Sequence, residues 1–113
     1  MELVASTKLK TIKKPSEFID LRNSGKRFVA QDWLIAVFKK SENFELGISV
    51  SSRDANAVMR NRLKRWAKEF FRRNQIDGVK LLLIFRNKRT KLQEVAFTDF
   101  CEASQKIIDR INT

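Results

Sequence analysis

The chain has 113 residues, of which 24 are Lys or Arg and 13 are Asp or Glu, giving a formal net charge of +11. This length suits one domain with a modest core, and 42% apolar with 33% charged residues argues against disorder. Histidine is absent, so the commonest general base and metal ligand are missing and a self-sufficient hydrolase is disfavoured.

Residues 1–13 read as an extended basic lead-in, with Lys8, Lys10 and Lys13 spaced among Leu9 and Ile12, and Lys14 following. Pro15 suits a first helical turn. Phe18, Ile19 and Leu21 then give a short amphipathic helix that Gly25 should end. Residues 27–40, dominated by Phe28, Val29, Trp33, Leu34, Ile35, Val37 and Phe38, predict a strand. Fourteen residues are long for one, so a bulge or a shorter true strand is expected. A turn at 41–43 leads into a strand over 44–50, where Leu46, Ile48 and Val50 alternate with Glu45, Gly47 and Ser49.

The main helix is predicted from Asp54 or Asn56 to about Arg73, with Asn74 near its C-cap. At about 100° per residue, Met59, Leu63, Trp66 and Phe70 form an apolar stripe with Ala67 at its edge. Arg60, Asn61, Lys64, Arg65, Lys68 and Arg72 fan across the opposite side. Asp77-Gly78 is a turn signal, and residues 79–85 form a continuous apolar run expected of a strand covered on both faces. Residues 86–91 make a second basic loop. A final helix is expected from Thr98 as N-cap, with Asp99 near the positive end of the dipole and Phe100, Ala103, Ile107, Ile108 and Ile111 inward. The order α, β, β, α, β, α predicts one α+β domain over 1–113.

Charge is concentrated in the middle of the chain. Residues 53–91 carry thirteen basic and three acidic side chains, whereas 92–113 carry two and four. A charge run is usually a solvated face. Two details oppose that here: Glu69 alone is available to interleave with the cations, and between Arg60 and Arg73 arginine outnumbers lysine five to two, arginine being the better planar donor to phosphate. The pattern points to a nucleic acid. A membrane-surface or calmodulin-target helix would show a similar wheel, but more often as an appended segment. The carboxylates form no motif-spaced metal cluster, and three scattered glycines make no phosphate loop. Cys101 is expected to be a buried structural thiol. The absence of a long apolar run or of a signal-peptide pattern predicts a soluble cytoplasmic protein.

Gly47-Ile48-Ser49-Val50-Ser51 followed by Asn56-Ala57-Val58-Met59-Arg60-Asn61-Arg62-Leu63-Lys64-Arg65 resembles the signature of the protein subunit of bacterial ribonuclease P. In that family an apolar strand ending in serine and basic residues precedes Gly-Asn-Ala-Val and then Arg-Asn-Arg-x-Lys-Arg on a helix. The likeness runs in order from about Lys8 to Ile111.

The resemblance implies an α/β sandwich with a left-handed βαβ crossover, similar to the second domain of a small-subunit ribosomal protein. It implies an endoribonuclease subunit whose partners are a catalytic RNA and precursor tRNA, with neither membrane nor DNA as a partner. The RNA would carry the magnesium-dependent hydrolysis, and the protein would grip the 5′ leader. By position, Asn56, Arg60, Asn61, Arg62, Lys64, Arg65 and Lys68 match the segment facing the catalytic RNA. Phe18, Trp33, Ser51 and Arg53 match leader-groove positions, and Arg22 stands where the family often has a second aromatic. For Trp33 and Phe18 a core role is an equal reading. Further departures are Ala36 for a tyrosine, Ser52 for a lysine, Asp54 for an apolar residue and Ala55 for glycine. Two alternatives stand beside this reading. One is a non-catalytic, ribosomal-type binder of structured RNA. The other is a DNA reader, disfavoured because Trp66, Phe70 and Phe71 would anchor the helix in a sheet sandwich.

Overall fold

A computed structural model describes residues 9–113. Five strands form one sheet: β1 (Lys10–Thr11), β2 (Lys26–Gln31), β3 (Leu34–Lys40), β4 (Glu45–Val50) and β5 (Val79–Phe85), in spatial order β1-β4-β5-β3-β2. Three helices accompany it: α1 (Pro15–Ser24), α2 (Ala57–Arg73) and α3 (Phe97–Ile111), with a short 3₁₀ turn at Leu92–Glu94. β4 and β5 are parallel neighbours joined by α2, while β3 runs antiparallel to both β5 and β2.

The alternation of side chains along the strands divides the core in two. Leu21 of α1 packs with Ile12, Ile35, Val37 and Leu82 on one face of the sheet. Leu63, Ala67 and Phe71 of α2 and Phe100, Ala103 and Ile107 of α3 pack on the other, against Leu46, Leu81, Leu83 and Phe85. β5 contributes to both clusters, as its apolar residues 81–85 require. Gly78, at φ +72°, supplies the left-handed residue that opens it.

The lead-in is more than an approach to α1. Lys10 and Thr11 pair in parallel with Glu45 and Leu46 of β4, and the Ile12 N–H donates to the Leu46 carbonyl at 2.9 Å. Its Lys8 lies outside the described residues. The 27–40 segment is not one strand but a hairpin, which doubles back at Asp32-Trp33 with an irregularity between Val29 and Gln31. Neither turn residue is a glycine or asparagine, and the apolar run therefore conceals the reversal. Asp32 Oδ2 accepts from the Thr90 N–H at 2.8 Å, and Arg86 Nε donates to the Asp32 carbonyl at 2.9 Å, so the turn is held by the loop after β5. The observed order is β, α, β, β, β, α, β, α.

α1 stops at Gly25, but Gly25 is extended rather than left-handed. A Cβ there would lie 2.7 Å from both the Leu21 carbonyl and Val37 Cγ1, so close approach selects the glycine. α2 begins as expected, with Asn56 Oδ1 accepting from the Met59 N–H at 2.8 Å. α3 begins two residues earlier than expected, its N-cap being Ala96 rather than Thr98. Ala96 has no side chain to cap the first turn, and Asp99 Oδ2 instead reaches back to accept from the Ala96 N–H at 2.9 Å. Ile108 and Ile111 are half-buried, and Ser104 is fully buried among apolar neighbours.

Candidate nucleic-acid interface

α2 docks through Leu63, Ala67 and Phe71, with Met59, Trp66 and Phe70 half-buried at the side. That rotation sorts its polar residues onto three surfaces. Asn61, Lys64, Arg65, Lys68 and Arg72 are exposed together with Glu69 along the outer face, around a shallow depression of about 340 Å³. Among the described residues the ion pairs are Lys39–Asp20 and Lys80–Glu17, and neither engages a cation of α2. Four cations against the single carboxylate of Glu69 on one rigid face raise the local potential and favour a polyanion.

Arg60 is not on that outer face. It is half-buried on the flank toward the sheet, where Nη1 donates to the Ala55 carbonyl at 2.8 Å. With Lys64 it forms one wall of a groove whose other wall is Pro15, Phe18, Ile19 and Arg22 of α1 and whose floor is Ile48, Ser49 and Val50 of β4, with a volume of about 450 Å³. β1 covers β4 only at Glu45 and Leu46, so the rest of this edge carries no described strand.

Phe18 is half-buried here because Gly47 lies beneath it; a Cβ on Gly47 would come within 3.0 Å of Phe18 Cε1. Ile19 is 61% exposed at the lip. Arg22 reaches over the floor, Nη2 donating to Ser49 Oγ at 3.1 Å. The two carboxylates of α1 are turned to the sheet instead. Asp20 pairs with Lys39 and Glu17 with Lys80. The hydrogen bond and charge of Lys39 hold the Asp20 carboxyl below its ordinary range. The groove thus keeps its cations while its nearest acids are occupied.

The expected leader residues do not all meet. Phe18 and Arg22 share the groove, but Trp33 lies on the opposite side of the sheet, 4% exposed and stacked on Phe85 at 6.4 Å. Burying its large apolar surface at the hairpin turn outweighs exposure, so Trp33 is core and no platform for a base. Ser51 is exposed and shapes the turn into α2, its Oγ accepting from the Arg53 N–H at 3.1 Å and its carbonyl from Asp54 and Ala55. Arg53 and Arg62 belong to a third surface, a separate cleft between the start of α2 and the segment after β5.

Ser49 was not among the candidates. The alternation of Glu45, Gly47 and Ser49 set these three on one face of β4, but only the placement of α1 shows that this face lines a groove. Cys101 is half-buried in α3, and burial pushes its thiol up, away from the reactive thiolate. Among the described residues no three His, Cys, Asp or Glu side chains gather as a metal site, and no helix is long and apolar enough to cross a membrane.

The family model described as Ribonuclease P matches residues 7–112. A relative from Macrococcus caseolyticus, named ribonuclease P protein component, is 42% identical over 71 residues, spanning 61% of this chain and 62% of its own length. Another of the same name, from Listeria innocua, is 32% identical over 101 residues, 86% of this chain and 81% of its own. The solved ribonuclease P protein from Thermotoga maritima has 28% identity and a TM-score of 0.77, over 89% of this chain and 96% of that one. The Staphylococcus aureus ribonuclease P protein shares the fold, with a TM-score of 0.80 at 23% identity over 92% and 96% of the two chains. With nearly its whole described length matched and its basic helix set beside an open groove, this chain belongs to the family of bacterial ribonuclease P protein components.

Proposed function

We propose that this chain serves ribonuclease P by holding two RNAs at once: the catalytic RNA on the outer face of α2, and the 5′ leader of precursor tRNA in the groove between α1 and β4. The observation that carries this reading is the pairing of a cation-rich outer face of α2 (Lys64, Arg65 and Lys68, with Asn61) with an open groove lined by Phe18 and Arg22 of α1 and Arg60 of α2. Phe18 and Ile19 offer apolar surface to an unpaired base. Stacking of this kind contributes about 1–3 kcal/mol per base and tolerates any sequence. Arg22, Arg60 and Lys64 take phosphates. For three such contacts to a single strand, the affinity should fall with salt at a log–log slope of roughly −2.

The chemistry is then assigned to the RNA. The chain contains no histidine, and the carboxylates of α1 and of the hairpin turn serve the fold: Asp20 and Glu17 hold α1, and Asp32 holds the turn. Magnesium for hydrolysis is read as a ligand of the RNA, and no step is routed through a metal on this chain. What the protein supplies is position, keeping the leader beside the catalytic RNA in one fixed register.

The test is cleavage of a precursor tRNA by a cognate bacterial ribonuclease P RNA at low magnesium, with and without the protein. Restoration of accurate 5′ cleavage is expected. Tight RNA binding without any gain in cleavage would overturn the assignment in favour of a non-catalytic RNA-binding role.

A further inference from the structure

At the end of the domain away from Asn56, the surface changes character. Residues 76–78 lead from the C-terminus of α2 into β5, and the Ser41 N–H closes their turn by donating to the Gly78 carbonyl at 2.9 Å. This turn, the ends of β2 and β3 and the last turn of α3 enclose a cleft of about 480 Å³. Its floor is apolar. Ile76 and Val79 are buried, and Phe38 and Ile111 are half-buried, with α3 ending at Ile111. Strand register sets two cations beside that floor. Lys26 lies opposite Phe38, and Lys40, two residues on from Phe38, lies opposite Val79, so these four share one face of the sheet. Lys26 and Lys40 are exposed, and among the described residues neither pairs with a carboxylate. Lys39 at the rim is already held by Asp20 and donates to Ser24 Oγ at 3.2 Å.

We propose that this cleft binds a small apolar monocarboxylate, its chain over Phe38, Ile76 and Ile111 and its carboxylate between Lys26 and Lys40. An apolar cleft of about 300–1,000 Å³ with a few placed polar groups is the usual form of a small-ligand site. Charge selects the occupant. Two free lysines against the exposed Asp77 leave a surplus of one, which matches a single carboxylate. The outer face of α2, with four cations against Glu69, suits a phosphodiester chain instead. The direction of the ligand follows from α3. The last carbonyls of that helix lie at this end, and the negative end of its dipole repels an anion. The carboxylate is thereby set on the sheet side and the chain against the helix. The site goes beyond the ribonuclease P reading and shares none of its RNA-facing residues.

The experiment titrates the isotope-labelled full chain with octanoate and, in parallel, with octanol, following its amide resonances. Octanoate is expected to shift the amides of Lys26, Lys40, Gly78 and Asn112 saturably and to leave those of Phe18, Ser49 and Arg65 in place. Octanol should bind at least about threefold more weakly. Lys40→Gln should weaken octanoate by about two- to fivefold and octanol not at all. Ile111→Ala should weaken both by roughly fivefold. Thermal unfolding shows whether Ile111→Ala is folded, and the exposed Lys40 provides a variant free of that question. Absence of a saturable shift at these amides would overturn the site, as would octanol binding as tightly as octanoate. Movement of the Phe18 and Ser49 amides in their place would also overturn it, by assigning octanoate to the groove. Because the assay contains no RNA, failure of the ribonuclease P reading and failure of this site are separately visible.

Discussion

Arg22 on α1 and Ser49 on β4 are joined by a hydrogen bond of 3.1 Å across the floor of the groove, 27 residues apart in the chain. The bond is exposed and costs little to lose, but it sets a guanidinium over an otherwise open strand edge. A cation in that place exchanges base stacking for phosphate contact.

Arg22→Ala should therefore leave thermal stability within about 0.5 kcal/mol of the wild type, as for other surface changes. Its effect belongs to the substrate. Affinity for leader-bearing precursor should drop more than affinity for mature tRNA, and the salt slope for the precursor should flatten by about 0.7. Equal losses for both substrates would remove Arg22 from the leader site.

Gly47→Ala tests the seating of Phe18. The new Cβ would stand 3.0 Å from Phe18 Cε1 and 3.3 Å from both Ile12 Cδ1 and Leu82 Cδ1. Three buried or half-buried neighbours must yield together, which is an overpacking cost of about 1–3 kcal/mol. Urea unfolding should show a lower midpoint with an unchanged slope, and Phe18 should move outward into the groove.

Arg60 and Arg65 should separate cleanly although they lie five residues apart. Arg65 is exposed, so Arg65→Ala should weaken assembly with the catalytic RNA and leave the fold as stable as before. Arg60 donates to the Ala55 carbonyl from a half-buried position. Removing a charged donor of this kind costs about 1.5–3 kcal/mol, so Arg60→Ala should also lower the unfolding midpoint. Identical stabilities of the two variants would show that the Arg60–Ala55 bond contributes nothing.

Acid should loosen the hairpin turn. The Asp32 carboxyl is held below its ordinary value of 3.8, chiefly by the Thr90 N–H, and Asp20 is held down by Lys39. Groups with depressed folded values stabilise fully above the unfolded value and lose that contribution as pH falls through the folded one. Stability should hold through neutral pH and decline below about pH 4. Asp32→Asn keeps an acceptor for Thr90 but cannot titrate, so its unfolding midpoint should fall less steeply between pH 4 and 2.5. A wild-type profile flat through that range would contradict the assignment.

The sequence by itself determined whatever depends on near neighbours. The alternation of β4, the continuous apolar run of β5, the Asn56 cap and the amphipathic α2 are periodic or local signals, and each appears in the structure close to its expected bounds. The chain reversal at Asp32-Trp33 was illegible because its anchor, Thr90, is 58 residues away. Trp33 could not be assigned to core or surface without that reversal, which decides the face of the sheet its ring joins. In the same way, a helical wheel placed Arg60, Lys64 and Arg65 together on one polar side, and the family resemblance set Arg62 with them. Only the seating of Leu63, Ala67 and Phe71 against the sheet turns Arg60 toward the groove and Arg62 toward a separate cleft. Hydrophobic patterning specifies which side of an element is buried; what its polar flanks face is set by elements distant in sequence.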